Sequence, residues 1–261
     1  RMNVHLVPAW RSLRIMRVWL LITTTSGLAW AVIEPYDPQS MSFAISPDQA
    51  TAAVRQWSGA PELVLTLRGV RMHPERPGED RYLFVTPDAD EFLVRCDTGL
   101  VSRWINGSGT DAWAQAKASG ITATYSPAQI GAVATAFANQ RFPAFGSRGM
   151  QAIRNDGHSV EFVAVLPGPT YYGGHHCRID VNEYTGSVIG YMAATGEDVT
   201  ISTQPSVNVA QAEAAALGAV LDNPAVATAF TTEPTSLWVA RDEMGLQRLA
   251  WVVPLAASTD A

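Results

Sequence analysis

Three segments of this chain open alike and lie at near-constant spacing: Ser46-Pro47-Asp48-Gln49, Ser126-Pro127-Ala128-Gln129 and Asn208-Val209-Ala210-Gln211. A Ser or Asn oxygen can accept from the free amides of a helix's first turn. Proline just inside costs nothing there, because its missing N–H had no partner to lose. The first helix should run to about Trp57. In the second, Ile130, Val133, Ala134 and Phe137 recur at the spacing of one buried helix face. The third is Ala-rich to Leu221, and Asn223-Pro224 stops or kinks it.

Strands should follow each helix. In the first copy they are expected at 63–67, 81–86 and 91–96, with a Pro-rich loop over 73–80. A Gly/Ser-rich and then Ala-rich stretch, 106–125, reads as a connection. The second copy continues with a strand over 158–166, a wide turn over 167–174, and a strand on which Cys177, Ile179 and Val181 share one face. A last strand covers 188–192. The third copy offers a hairpin, 237–240 with 249–253, around 242–245. The first two copies close alike, in Val94-Arg95-Cys96-Asp97-Thr98-Gly99-Leu100-Val101 and, within 180–191, Val181-Asn182-Glu183-Tyr184-Thr185-Gly186-Ser187-Val188. The third has no such closing turn.

A helix followed by strands, repeated, is an internal repeat of the α+β class: tandem units of one helix packed on a small antiparallel sheet. The expected division is 1–31, then units 32–106, 107–198 and 199–261, the last incomplete. With 47% of its 261 residues apolar, the chain can bury a core.

The first 31 residues read as an export signal. Arg11, Arg14 and Arg17 precede a mostly apolar run, 18–28, and Ala29-Trp30-Ala31 has the Ala-x-Ala form of a cleavage site. The run is short for a membrane span, which needs about 20 residues; the competing reading is an uncleaved anchor or a buried helix. Export implies a secreted or periplasmic place in a bacterial envelope. Cleavage would remove four arginines, counting Arg1, from a chain of net charge −6. So acidic a chain repels phosphate backbones, and nucleic acid is disfavoured as a partner. Among the basic residues only Lys117 is lysine, and arginines spread this evenly along the chain are expected to form no patch. Cys96 and Cys177 are compatible with one disulfide or with two small buried hydrophobes.

The Ser-Pro-x-Gln helix start, the alternating strand and the closing Val-x-x-x-Thr-Gly-x-Val resemble the PepSY-type domain, a small module of peptidase propeptides and exported bacterial proteins. The resemblance covers most of 46–192 and, weakly, 208–254. Where the family commonly carries an aspartate in Val-Asp-x-x-Thr-Gly, this chain has Arg95 and Asn182. The resemblance implies a non-catalytic fold that binds or restrains another protein, often a peptidase, and it brings no catalytic residue.

Several residue sets could carry chemistry. Asp97-Thr98-Gly99 is the triplet an aspartic peptidase uses twice, to share one proton between two carboxylates. The second copy has Tyr184 in the aspartate's place, so the triplet reads as a strand-ending turn with Gly99 at positive φ. Gly173-Gly174-His175-His176-Cys177, with Asp180 and His158, offers metal-ligand types. Strand alternation sends His175 and Cys177 to one face and His176 and Asp180 to the other, so a hairpin rim is preferred to a zinc site. Tyr171-Tyr172 either grips a partner or folds over a sheet edge. Trp57, Trp104, Trp113, Trp238 and Trp251 are expected in the core. No phosphate loop, nucleophile elbow or His-Glu-x-x-His helix is present.

The expectation is therefore an exported, non-enzymatic protein-binding or regulatory module, with no catalytic, cofactor or metal residue assigned. Its partner would be another exported protein such as a peptidase. Two alternatives remain open. One is a secreted hydrolase using acids such as Asp97 or Glu183. The other is the N-terminal part of a longer envelope protein whose missing last strand lies beyond Ala261.

Overall fold

The structure is a computed structural model that describes residues 17–18, 33–38, 40–72, 79–168, 170–221, 230–232, 234–241 and 246–257. In chain order the elements are β1 (Arg17–Val18), β2 (Ile33–Glu34), α1 (Pro47–Ser58), β3 (Thr66–Arg71), β4 (Arg81–Val85), β5 (Glu91–Arg95), β6 (Val101–Ile105) and α2 (Gly107–Ala118). There follow α3 (Pro127–Arg141), β7 (Met150–Asn155), β8 (Ser159–Leu166), β9 (Thr170–Val181), β10 (Val188–Ala194), α4 (Val209–Leu221), β11 (Phe230–Thr232), β12 (Ser236–Arg241), β13 (Gln247–Val252) and β14 (Leu255–Ala257). The class is α+β. Apart from Arg17–Val18, the expected export segment 1–31 lies outside the described residues, as do the helix stop at Asn223-Pro224 and the hairpin turn 242–245. Among the described residues no helix is long and apolar enough to cross a membrane.

The chain divides into two compact units, Gly27–Val163 with His175–Thr195, and Arg1–Ser26 with Ala164–Gly174 and Gly196–Ala261. In the larger unit the strands lie in the order β2-β3-β4-β5-β6-β10-β9, with β8 beside β9 and β7 beside β8. The sequence α1-β3-β4-β5-β6 recurs as α3-β7-β8-β9-β10, and the second set of strands is laid down in mirror order. The two sets meet at their last strands, β6 and β10, which pair antiparallel with Trp104 opposite Tyr191. Like copies joined by antiparallel like strands are related by a local twofold axis at that seam.

Aromatic contacts follow the same symmetry. Trp57 and Phe137 hold equivalent places in α1 and α3, counted from Ser46 and Ser126, and meet edge-on at 5.9 Å. Trp57 lies 5.1 Å from Tyr191, and Phe137 stacks on Trp104 at 5.9 Å, so each helix places its ring on the other copy's last strand. Arg141, the last residue of α3, donates from its guanidinium to the carbonyls of Trp57 and Ser58, while Trp57 Nε1 donates to Arg141 O. The C-terminal ends of α1 and α3 are thereby tied reciprocally, and carbonyls that a helix end leaves open are satisfied.

The helix starts are as the sequence reads them. Ser46 Oγ accepts from Gln49 N, and Gln49 Oε1 accepts from Ser46 N. Ser126 with Gln129 and Asn208 with Gln211 make the same reciprocal pair. Each such cap contributes about 1 kcal/mol. Ala50 and Val54 of α1 and Ile130, Ala134 and Ala138 of α3 are buried in one core with Phe84, Phe92, Phe162 and Ile179.

Four expectations need correction. The first strand begins at Thr66, after an irregular 63–65, and runs on to Arg71. The supposed connection 106–125 contains α2, capped by Asn106 Oδ1, which accepts from Gly109 N at 2.7 Å. The wide turn ends by Thr170, where β9 already begins. An additional strand, β7, precedes β8; its residues after Met150 are exposed on both faces, so no alternation marks it.

In the smaller unit β12 and β13 form the expected antiparallel hairpin. β12 also pairs in parallel with the first residues of β9, Leu237 opposite Thr170 and Val239 opposite Tyr172. β14 pairs with β11 and β1. Ala216 of α4 packs with Val253 and Leu255, and Trp251 covers that small cluster while donating from Nε1 to Val207 O.

Candidate functional site

The two Thr-Gly corners are where the sequence concentrates its candidate chemistry, and both lie in the larger unit. Three backbone bonds recur in both. Ile45 N donates to Cys96 O at 3.0 Å, and Tyr125 N to Glu183 O at 2.9 Å; each bond ties a corner to the residue before a helix cap. Gly99 N donates to Arg95 O and Gly186 N to Asn182 O, while Arg95 N donates to Leu100 O and Asn182 N to Ser187 O. Gly99 and Gly186 have φ of 71° and 74°, the left-handed region in which a side chain is strained. By these bonds Cys96 corresponds to Glu183, and Asp97 to Tyr184.

The first corner is apolar beneath a closed ion pair. Arg95 Nε donates to Asp97 Oδ1 at 2.8 Å, and Nη2 donates to Oδ2. That fork holds the Asp97 carboxyl below the usual carboxylate range. Cys96 is buried, and burial pushes its thiol up to about 12. Beside it Tyr82 donates to Ile45 O at 2.7 Å, with Tyr36 and Phe43 edge-on against the Tyr82 ring. A carboxylate clamped by arginine is a poor partner for sharing a proton, which is what the peptidase reading of Asp97 requires.

The second corner is polar. Glu183 Oε2 accepts from Trp113 Nε1 at 2.7 Å and lies 3.2 Å from His158 Nδ1. His158 Nδ1 is also 2.6 Å from Val181 O. A carbonyl can only accept, so that nitrogen carries the hydrogen. The imidazole stacks on Trp113 at 4.5 Å and 14°, and Lys117 Nζ stands 4.7 Å from the indole centroid. Glu183 is 15% exposed and His158 26%. Asn182 Oδ1 accepts from Tyr184 N and Thr185 N, the turn-holding task a carboxylate would perform at that position.

The sequence marks Glu183 and His158 as candidates, places Trp113 in the core and gives Lys117 no role. Both sit on α2, which Gly107-Ser108-Gly109 disguises as a loop. Asn106 as a cap ahead of an Ala/Gln/Lys segment was the available signal. The arrangement can hold α2 against the corner through one charged acceptor, one stack and one cation over a ring.

The other candidates are placed apart from this cluster. His175 and Cys177 are buried, whereas His176 and Asp180 are half-buried on the opposite strand face, as alternation requires. Asp180 accepts from Arg178 Nε at 2.9 Å. Among the described residues no group of three or more His, Cys, Asp or Glu could hold a metal ion. Cys96 and Cys177 are free, buried thiols in the same core, and burial pushes the Cys177 thiol also up to about 12. Tyr171 lies against Trp238 at 5.1 Å, and Tyr172 is buried with its hydroxyl donating to Glu197 O. They are not an exposed pair.

No protein-family model matches the chain, and no curated protein matches it in sequence. Among solved structures, the C-terminal domain of Bacillus megaterium YpeB is similar to it, with a TM-score of 0.47 and 13% identity over 81% of this chain and 88% of that one.

Proposed function

We infer that this chain is an exported, non-catalytic module of PepSY-like repeats, 32–106, 107–198 and an incomplete 199–261, that binds or restrains another exported protein. One observation carries the reading: the backbone bonds repeat between the corners, while the acids do not. Asp97 is spent on Arg95 and Glu183 on Trp113 and His158, at non-equivalent positions. A catalytic pair would need two carboxylates facing one reacting atom. The export-like segment 1–31 and the residues of the PepSY resemblance supply the setting, a bacterial envelope or its exterior.

The test has two arms. The full chain, immobilised and exposed to culture supernatant and envelope extract, should retain a defined exported protein that then binds the purified chain in a two-component assay. Hydrolysis of denatured casein at acid pH by the purified chain, abolished by Asp97→Asn or Glu183→Gln, would overturn the reading in favour of a secreted hydrolase.

A further inference from the structure

We propose that the sheet face of the larger unit opposite α1 and α3 docks an extended acidic segment of the partner protein, along Arg71, Arg81, Arg95 and Arg103. The proposal rests on the protein-binding reading above and names the chemistry of what is bound. Arginines scattered in the sequence are gathered here by strand register. Arg71 lies directly opposite Arg81, and Arg81 directly opposite Arg95. The neighbouring row runs Leu83, Leu93, Arg103, Met192, Arg178, each opposite the next. Tyr82, Phe84, Phe92 and Val94 are buried in the helix-side core, so alternation turns the arginine rows to the other face. The even spread along the sequence therefore does not carry over into space.

Like charges directly opposite on neighbouring strands repel one another. Glu79 lies 3.6 Å from Arg81, and Asp97 is forked by Arg95. Neither Arg71 nor Arg103 has a carboxylate in ion-pair reach among the described residues. Burial, together with the neighbouring Arg95 and Arg71, weakens Arg81's hold on its proton relative to a free guanidinium, with Glu79 acting in the opposite sense. Strands lie about 4.8 Å apart, so the three arginines span about 10 Å, and carboxylates on alternate residues of an extended peptide recur at about 7 Å. Guanidinium forks match carboxylates in plane and in charge. Leu83 and Met192, the latter 42% exposed, offer apolar contact between the charges. Glu91, Asp97 and Asp180 are interspersed on the same face, Asp97 and Asp180 already paired with Arg95 and Arg178.

The experiment uses the full chain and a fluorescein-labelled peptide of alternating Glu and Leu, with a Lys-Leu peptide as control, read by anisotropy. Saturable binding of the Glu-Leu peptide is expected. It should weaken about tenfold in Arg103→Glu and in Arg71→Glu, less in Arg103→Gln, and fall with added salt. Arg154→Glu, on exposed β7, should leave it unchanged, and circular dichroism of each variant confirms folding. No saturable binding, equal binding by Arg103→Glu, or tighter binding of a single-stranded oligonucleotide would overturn the proposal. If the wild-type chain and Arg103→Glu capture the same exported protein equally, this face is not the docking face and the protein-binding reading survives. If Glu-Leu binding behaves as expected but no exported protein is captured, the broader reading fails and the anion-binding face remains.

Discussion

The two Thr-Gly corners have one backbone and two contents. Around Gly99 the equivalent of Glu183 is a buried thiol, and the covering groups are Tyr36 and Phe43 on Tyr82. Around Gly186 the same position is a carboxylate, and the cover is a whole helix, α2, brought in by Trp113. What the copies keep is the set of amide–carbonyl bonds that ties each corner to the start of its helix. What they vary is the side chain pointing out of that frame. The corner is thus a structural joint whose second copy has been adapted to hold an extra element.

The sharpest way to break the comparison is a methyl group at each glycine. A Cβ at Gly186 would come within 2.3 Å of the Tyr125 ring, whereas one at Gly99 meets Ile45 at an ordinary 3.8 Å. Gly99→Ala should cost about 1 kcal/mol from backbone strain alone. Gly186→Ala should cost about 2–4 kcal/mol, because ring displacement adds to the strain. Urea unfolding of both variants measures the gap, and equal losses would mean that Tyr125 swings aside freely.

Next in size is the loss of Glu183. Glu183→Ala leaves the Trp113 N–H without its acceptor and should cost about 1–3 kcal/mol. Glu183→Gln keeps an acceptor oxygen and should recover most of that. If the two variants melt together, α2 is held by the His158 stack and not by the hydrogen bond.

Asp97 separates the corners by pH. Its folded carboxyl is held below the ordinary value chiefly by the hydrogen bond from Arg95, with burial opposing. Its contribution is therefore present above an ordinary carboxylate pKa of about 3.9 and is lost as pH falls below that, toward the depressed value. At neutral pH, Asp97→Asn should lower stability by well under about 1 kcal/mol, since the pair is partly open to solvent. The variant and the parent should converge in acid. Persistence of the difference at low pH would show that the Asp97 charge is not its source.

The smallest effect is in reactivity. With both thiols raised to about 12, Cys96 and Cys177 are protonated at mildly alkaline pH and buried besides. Iodoacetamide should modify neither in the native chain and both after denaturation, by intact mass. Rapid native modification confined to Cys96 would show that the first corner opens readily.

The parts legible in the sequence are those decided locally. Ser46, Ser126 and Asn208 each make the cap expected of them, because a cap needs only residues within one turn. The period-two burial of Cys177, Ile179 and Val181 was readable for the same reason. α2 has only its Asn106 cap to mark it: three of its first residues, Gly107, Ser108 and Gly109, favour a loop, and a distant carboxylate and imidazole secure the helix. β7 escaped because an exposed edge strand has no apolar face to announce it. The arginine rows escaped most completely, since Arg71, Arg81, Arg95 and Arg103 become neighbours only once three turns and a bulge have set the register.

The seam between β6 and β10 also dictates an order of events when the chain is made. β6 is complete once Ile105 has emerged, but its partner is finished only with Ala194. Throughout that interval the first copy carries a bare row of amides and carbonyls along Val101–Ile105, beside an aromatic side, Trp104, that awaits Phe137 and Tyr191. Such an edge pairs with any strand at hand, including the same edge of another nascent chain. A chain cut after Ala118 should for that reason self-associate through β6, and synthesis of the intact chain is a race between closing its own seam and borrowing a neighbour's.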